Sequence, residues 1–294
     1  MAYTIDSIGV DGLCCVTTLD IIAFVLFNDV WEVIMPERSA ETRVDREVQH
    51  FEEVYKNELE VGKLMLSLED KRRFFQPPKN TRYSKEYFYH LLSPLQGKDV
   101  LEIACGGGLD SCLASLFGAK VFAYDLCPAA IELTRKRAEL NGVSDKVHLQ
   151  VCGSVAEAFP GQAFDAVLGF AALHHLPLSG LGEAIHARLK PGGIAVFVEP
   201  VINSQALDAF RRCIPYRPVE ITEDENPLND RDIQALADPF LRLERREFEF
   251  LSRIYPLFRN HPAIVYALHE LDYHLLKIPL LRRFASVVVF SVSK

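Results

Sequence analysis

The chain has 294 residues and a mass of 33.2 kDa, enough for one large domain with additions at its ends. Hydrophobic residues make up 49% and charged residues 24%, which is typical of a globular protein with a sizeable core. The formal net charge of −8 at pH 7 argues against nucleic acid as a partner, because binding to phosphates requires a basic surface.

Cysteine usage and the apolar segments point to a reducing compartment and to a chain without a membrane span. The seven cysteines show neither the spacing of a disulfide framework nor a CxxC pair, so we expect reduced thiols. The apolar run IIAFVLF, residues 21–27, is too short to cross a bilayer. It follows aspartates rather than a basic segment, which is untypical of a signal peptide. A cytoplasmic location is therefore expected.

Residues 1–95 are predicted to form a helical N-terminal extension. Within it, apolar residues recur at helical spacing from Val44 through Phe51 to Leu59, which predicts one amphipathic helix. The stretch IIAFVLFNDVWEVIM, residues 21–35, has more apolar surface than a lone helix tolerates. We therefore expect it to pack on the core or on a second subunit, which leaves a homodimer open.

Residues 96–294 are predicted to form the main domain. The segments KDVLEIA, KVFAYDL, KVHLQVC, FDAVLGFAAL and GIAVFVEPV are short apolar strand candidates, and helical patterns follow the first two. Such alternation predicts a parallel sheet covered by helices on both faces. After residue 201 the pattern loosens, but LRLERREFEFLSRI alternates like a strand and ASVVVFSVSK reads as a terminal strand.

The turn after the first strand has the composition of a cofactor site. Gly106, Gly107 and Gly108 allow a sharp bend and a close approach of a ligand to the backbone. Gly106 and Gly108 also weakly match the GxGxxG pattern of dinucleotide sites. Glu102 discriminates between cofactors, because one unit-charge contact at about 4 Å contributes about 4 kcal/mol at an effective dielectric near 20. A phosphate would be repelled by Glu102, whereas a cofactor carrying an ammonium and a sulfonium would be attracted.

Glu102 followed by Ala104, Gly106 and Gly108 resembles the motif of the class I S-adenosylmethionine-dependent methyltransferases, in particular the group that methylates small molecules. The resemblance is strong over residues 98–201, where FDAVLGFAALHHL and LKPGG match the fourth strand and the turn before the fifth. It implies an α/β, Rossmann-like, doubly wound fold. The sheet would have seven mostly parallel strands with the last strand antiparallel, helices on both faces, and lid inserts. Ala104 stands where the family usually has glycine.

The same resemblance implies where S-adenosylmethionine binds. Asp125 would accept the ribose hydroxyls at the end of the second strand, and Leu126 would flank the adenine. The family often has an acidic residue after the glycine at position 153, which binds the adenine amine. This chain has Ser154 there, and Glu157 is the candidate to substitute for that contact. The implied cofactor residues are Glu102, Ala104, Gly106, Gly108, Asp125, Leu126, Gly153, Ser154 and Phe170.

The catalytic and substrate residues are also predicted with the help of the resemblance. Methyl transfer from a sulfonium is an in-line displacement, so the protein mainly aligns donor and acceptor and excludes water. A hydroxyl acceptor also needs a base, and imidazole titrates close to neutral pH. His174 and His175 follow the fourth strand, where one of them would act as the base or both would only shape the loop.

A lid formed by residues before the first strand and by inserts at 202–236 and 255–283 would recognise the substrate. The predicted substrate-binding residues are Tyr83, Tyr87, Glu199 and Arg211. The remaining histidines lack a ligand spacing, so no metal is expected.

The leading hypothesis is therefore transfer of a methyl group from S-adenosylmethionine to a hydroxyl of a small molecule. Nitrogen, sulfur and carbon acceptors stay open, as does a non-methylating reaction on the same fold, such as a cyclisation or a decarboxylation. A binding protein with a vestigial pocket and a nicotinamide-dependent oxidoreductase are further alternatives. Glu102 and the LKPGG turn argue against the oxidoreductase.

Overall fold

The protein is described by a computed structural model that covers residues 43–204, 227–258 and 260–294. By its contacts the chain divides between Asp45 and Arg46, and all but the first three described residues belong to the unit Arg46–Lys294. The apolar stretch 21–35 and the predicted substrate residue Arg211 lie outside the described residues.

Seven strands of the described residues form one sheet. They are β1 (Asp99–Ile103), β2 (Lys120–Asp125), β3 (Val147–Val151), β4 (Phe164–Phe170), β5 (Leu189–Pro200), β6 (Arg242–Phe248) and β7 (Val287–Ser293). Their order is β3-β2-β1-β4-β5-β7-β6, and β7 runs antiparallel to both of its neighbours while the other pairs are parallel. The predicted Rossmann-like sheet with an antiparallel last strand is confirmed.

Helices precede the sheet and connect its strands. They are α1 (Arg43–Val61), α2 (Leu68–Phe74), α3 (Ser84–Leu92), α4 (Leu109–Leu116), α5 (Pro128–Leu140), α6 (Leu181–Arg188), α7 (Asp230–Ala237), α8 (Pro262–Leu275) and α9 (Pro279–Arg282). Two 3₁₀ turns span Leu173–His175 and Ser252–Phe258. Among the described residues, none of the helices combines the length and the apolar character that a bilayer span requires.

Two apolar layers enclose the sheet. Successive strand residues point to opposite faces, so Val100 packs into one layer and Leu101 into the other, and neither is exposed. Residues of α3, α4 and α5 fill the first layer, and residues of α6 and α7 fill the second. This burial on both sides explains why the central strands read as continuous apolar runs rather than as alternating patterns.

The LKPGG segment differs from its prediction as a turn. It lies within β5 as a bulge, because Phe164 pairs with Leu189 and Ala166 pairs with Ile194. Four residues of β5 therefore lie opposite one residue of β4, and Gly192 accommodates the bend with a φ of +76°.

The parallel strands bring their carboxyl ends to one edge of the sheet. The chain order reverses between β1 and β4, which are neighbours in the sheet. Ligands of open α/β sheets bind at such a reversal, outside the carboxyl ends of the strands. The glycine turn after β1, the tip of β2 and the turn after β4 all lie at this edge, so the fold brings the predicted cofactor and catalytic segments together.

Candidate functional site

The chain leaves β1 through a turn with a partly left-handed backbone. The φ angles of Gly106 and Gly108 are +49° and +71°, and that of Ala104 is +49°. A residue with a Cβ is strained in this region, so Ala104 carries a conformational cost that glycine would avoid. The backbone N–H of Gly106 donates to Asp125 Oδ2 at 2.9 Å, which ties the turn to the tip of β2.

Two glycines of this turn, Gly106 and Gly108, leave little room for a Cβ. A Cβ on Gly108 would lie 2.4 Å from the Thr134 side chain of α5, and a Cβ on Gly106 would lie 2.8 Å from the Tyr55 hydroxyl of α1. The Thr134 hydroxyl also donates to the carbonyl oxygen of Gly106 at 2.9 Å. Helices α1 and α5 therefore both approach the turn to within van der Waals distance.

Glu102 lies near the end of β1 and is only 3% exposed. The Ser111 hydroxyl of α4 donates to its Oε2. Burial, followed by repulsion from Asp110, raises the pKa of Glu102 to about 8. Asp110 has a cationic partner in Lys85 at 3.0 Å, whereas Glu102 has none within 4.0 Å in the part of the chain that the structure describes.

Asp125 is the second buried carboxylate of this edge, with 8% exposure. Burial raises its pKa, although the backbone N–H groups of Cys127 and Gly106 donate to it. Each of its oxygens accepts one of these bonds, so further lone pairs remain for hydroxyl donors. Within the described residues no cationic side chain pairs with it.

Buried Glu102, which has no cationic partner among the described residues, decides which cofactor fits. A phosphate beside Glu102 would oppose its ionisation in a poorly solvated place, whereas an ammonium and a sulfonium would favour the ionised carboxylate. Asp125 can accept the ribose hydroxyls of either kind of cofactor. The residues at the carboxyl edge therefore fit S-adenosylmethionine and do not fit a dinucleotide pyrophosphate.

An apolar surface adjoins these carboxylates at the tip of β2. Leu126 is 42% exposed, and the Cβ position of Gly153 lies 3.4 Å from its Cδ1. Such a surface suits a flat aromatic ring. The Ser154 hydroxyl accepts the backbone N–H of Glu157 at 3.3 Å, and the Glu157 side chain is exposed. Adenine contacts by Ser154 or Glu157 stay predictions.

His174 lies in the 3₁₀ turn after β4, and its Nδ1 is 2.8 Å from Glu199 Oε2. Glu199 is fully buried at the end of β5, with 0% exposure. Its Oε1 accepts the backbone N–H groups of Ala172 and Leu173 at 3.0 and 2.8 Å. Glu199 thus holds both the backbone of the turn and the ring of His174. None of its surface is exposed, and substrate binding by Glu199 stays a prediction.

His175 is brought to the same edge and is covered by α1. The rings of His174 and His175 are 4.0 Å apart between centroids. Phe51 of α1 packs edge-on against His175 with a centroid distance of 5.6 Å, and Glu47 Oε1 lies 3.7 Å from His175 Nδ1. Glu47 and Phe51 of α1 therefore lie against His175.

Comparison with known proteins agrees with this geometry. Residues 101–197 match the family described as "Methyltransferase domain". A ubiquinone biosynthesis O-methyltransferase of Sodalis glossinidius is 34% identical over 170 residues, which cover 51% of this chain and 68% of that protein. The chain belongs to the class I S-adenosylmethionine-dependent methyltransferases.

Other members of this family match over shorter lengths. A ubiquinone biosynthesis O-methyltransferase of Methylocella silvestris is 36% identical over 104 residues, 34% of this chain and 39% of that protein. A ribosomal protein L11 methyltransferase of Methylococcus capsulatus is 35% identical over 113 residues, 38% of this chain and 36% of that protein. The chain therefore spans well under two thirds of the length of these two relatives.

A solved structure of the family shares the fold. The geranyl diphosphate C-methyltransferase of Streptomyces coelicolor A3(2) superposes with a TM-score of 0.52 at 16% identity, covering 84% of this chain and 97% of that one. At this level of identity the likeness concerns the fold alone.

The aromatic residues predicted to line the substrate wall of this methyltransferase contact β6 and α8. Tyr87 is buried, its hydroxyl donates to Glu244 Oε1 at 3.1 Å, and its ring lies 5.8 Å from that of Phe248. The ring of Tyr83 lies 4.7 Å from that of His269. Among the described residues, neither tyrosine forms a hydrogen bond or a ring contact with the glycine turn, His174 or His175. Substrate binding by Tyr83 and Tyr87 stays a prediction.

Phe170 at the end of β4 packs among other side chains of the core. Its ring lies 6.0 Å from that of Phe88, and Lys85 Nζ lies 4.7 Å from its centre. Lys85 thus contacts Phe170 as well as Asp110, which links the end of β4 to the acidic group under the glycine turn. A contact of Phe170 with the cofactor stays a prediction.

Sequence reasoning missed the polar contacts that attach α1 to the glycine turn. Arg137 of α5 donates from Nε to the carbonyl oxygen of Gly107 at 2.6 Å and from Nη2 to Glu58 of α1. Glu52 Oε1 accepts the backbone N–H of Ala129 at 3.1 Å. Only the amphipathic spacing of α1 signalled that this helix would be buried on one side.

A metal site is not suggested by the geometry. In the described ranges no three His, Cys, Asp or Glu side chains come together as a metal would require.

Proposed function

We propose that the chain transfers a methyl group from S-adenosylmethionine to a hydroxyl of a small molecule, with His174 as the general base. The observation that carries this proposal is the 2.8 Å contact between His174 Nδ1 and the buried Glu199, at the edge where Glu102 and Asp125 lie. A base oriented by a carboxylate is what a hydroxyl acceptor needs and what a purely cofactor-binding protein does not need.

Glu199 acts as a positioning residue for His174. A proton on Nδ1 donated to Glu199 leaves the lone pair on Nε2, which is then the atom that accepts a proton. Because Glu199 also accepts backbone N–H groups of the turn, its carboxylate is held in place, and rotation of the His174 ring would break the Nδ1 contact with it. The tautomer and the direction of the ring are therefore both set before a substrate arrives.

The cofactor supplies an already activated methyl group, so the protein contributes mainly alignment, exclusion of water and proton transfer. Glu102 and Asp125 hold the cationic and hydroxyl parts of the donor at the carboxyl edge. Alignment of this kind lowers a barrier by about 7–11 kcal/mol in well-oriented systems. Nε2 of His174 would take the acceptor proton as the new carbon–oxygen bond forms and the carbon–sulfur bond of the donor breaks, with S-adenosylhomocysteine as the leaving group.

The names of the relatives support an oxygen acceptor. Several of the matching proteins are ubiquinone biosynthesis O-methyltransferases, at 34–37% identity. Phe51 of α1 packs on His175, which suits a small acceptor enclosed beneath this helix better than a macromolecular one. We assign His175 to shaping this cover, since its ring is held between Phe51 and His174.

The test is methyl transfer from tritium-labelled S-adenosylmethionine to a panel of phenols, carboxylic acids and amines. We expect a phenol to be converted into its methyl ether, and we expect His174→Ala to lower kcat by at least about 100-fold, the usual contribution of a general base. Its affinity for S-adenosylhomocysteine should stay within about twofold, because His174 does not hold the cofactor.

Two further variants separate the roles. His175→Ala is the matched control and should lose much less activity than His174→Ala. Glu199→Gln should lower kcat and shift the part of the pH–rate profile in which the rate rises with pH. A loss of folded protein alone would lower the rate without such a shift. Equal kcat in the wild type and His174→Ala would refute the base, and amine products would refute the oxygen acceptor.

A further inference from the structure

A cavity of about 520 Å³ lies at the far edge of the sheet. It is enclosed by the outermost strand β6, by α8, by Tyr87 of α3 and by the segment that precedes α3. Its volume falls in the range of small-molecule sites. Strands β4, β5 and β7 separate β6 from β1, so the cavity is not part of the glycine turn and its function is independent of the proposed methyl transfer.

Three cations surround one aromatic ring in this cavity. The guanidinium carbons of Arg82 and Arg246 lie 4.7 and 4.9 Å from the ring centre of Tyr273, and Lys277 Nζ lies 3.9 Å from it. Cation–π attraction stabilises each of them, but the like charges repel one another at this separation. An arrangement of this kind is favourable only where negative charge balances it.

Carboxylates balance only one of the three. Arg82 donates to both oxygens of Glu270, at 2.6 and 2.9 Å. Arg246 donates to the carbonyl oxygens of Lys79 and Thr81, at 3.0 and 2.5 Å, and these groups are neutral. Within the described ranges, neither Arg246 nor Lys277 has a carboxylate oxygen within 4.0 Å of its side-chain nitrogens.

The carboxylates in the cavity wall are already engaged. Asp272 accepts the backbone N–H groups of residues 250–252, at 2.8–3.0 Å. Glu247 accepts from Arg245 Nε at 2.8 Å. Burial raises the pKa of Glu249, which favours its neutral form. The cavity thus presents an excess of positive charge to anything that enters it.

Apolar groups complete the wall beside these cations. Phe248 is buried, its ring lies 4.7 Å from the Arg246 guanidinium, and Tyr87 and Leu276 lie next to it in the cavity wall. We propose that this cavity binds a small organic anion, a phosphate or a carboxylate attached to an aromatic or apolar body, with Arg246 and Lys277 holding the charge. The body would pack against Phe248, Tyr87 and Leu276.

The test uses phenyl phosphate, benzoate and the neutral benzyl alcohol as probes, titrated into the full chain by calorimetry. We expect at least one of the two anions to bind more tightly than benzyl alcohol by about tenfold or more, because charge-assisted hydrogen bonds are the stronger ones. The tighter of the two anions identifies the anionic group that the cavity takes.

Variants locate the binding. Lys277 is exposed, so Lys277→Gln leaves the fold intact. It should lower the affinity for the more tightly bound anion by about fivefold or more. Arg246→Lys keeps the charge and should bind better than Arg246→Gln, and circular dichroism of both variants reports folding. The matched control is Arg242→Gln on the same strand, whose side chain is 73% exposed and outside the cavity, and it should stay within about twofold of the wild type.

Three results would overturn the proposal. They are the absence of binding of either anion at millimolar concentration, equal affinity for benzyl alcohol, and equal weakening by Lys277→Gln and Arg242→Gln.

Discussion

The carboxyl group of Glu102 is buried at the end of β1, and its pKa of about 8 lies above the value of 4.5 for the free side chain. A carboxyl with a raised pKa in the folded protein contributes stability below pH 4.5 that is lost as the pH rises through about 8. At neutral pH the group is therefore largely protonated until a cation arrives. A cationic cofactor favours the ionised form, so its binding must release the proton of Glu102.

This linkage predicts that the affinity of the wild type for S-adenosylmethionine rises between pH 6 and 7.5, by up to about 25-fold, as the ionised fraction of Glu102 increases. Calorimetric titrations at several pH values measure it. In Glu102→Gln the rise should disappear and the affinity should fall. The matched control is Glu157→Gln, which removes an exposed carboxylate near the same edge and should keep the rise. A pH dependence in Glu102→Gln equal to that of the wild type would contradict the linkage.

At the residue scale, the sequence pointed to individual residues of the carboxyl edge but not to all the contacts that they make. Glu102 follows from its place before the glycines and Asp125 was implied by the family resemblance, and both lie at the predicted edge. The contacts of Glu199 could not be inferred, because they are with a turn 25 to 27 positions earlier in the chain. Nothing in the local sequence indicates that its carboxylate is enclosed by that turn.

At the scale of elements, α1 is the part that completes the site. Tyr55 approaches Gly106, Phe51 packs on His175, and Arg137 bridges from α5 to Glu58 and to the glycine turn. The amphipathic pattern predicted the helix, whereas its partners could not be inferred, because a helical period shows that a face is buried but not against what. The LKPGG segment is a similar case, since a proline and two glycines fit a bulge as well as a turn.

The Arg137 bridge yields a stability prediction. Arg137→Met should lower the free energy of unfolding by about 2–3 kcal/mol, because Glu58 and the carbonyl oxygen of Gly107 lose a buried charged donor. Urea denaturation followed by circular dichroism measures the change. Lys136→Met on the same helix removes an exposed ion pair and should change stability by less than about 0.5 kcal/mol. If Arg137→Met lowered the free energy of unfolding by no more than Lys136→Met does, the bridge would not stabilise the protein.

At the scale of the whole molecule, the alternation of strands and helices was enough to predict the sheet, because parallel strands need crossover helices. The cofactor edge follows from the sheet, since the carboxyl ends of β1, β2 and β4 meet there. The cavity beside β6 could not be predicted, because Arg82, Arg246 and Tyr273 come from distant parts of the chain. Only the folded molecule brings these three side chains to one place.

The central claim is that the carboxyl edge binds S-adenosylmethionine, with Asp125 holding its ribose and buried Glu102 favouring a cationic methyl donor over a phosphorylated nucleotide. Side-by-side calorimetric titration of the full chain with S-adenosylmethionine and with NAD tests it most directly, together with Asp125→Asn. We predict one-site binding of S-adenosylmethionine, a loss of about tenfold in Asp125→Asn, and no heat of binding with NAD. Binding of NAD with equal affinity, or no binding of S-adenosylmethionine by the folded wild type, would contradict the claim.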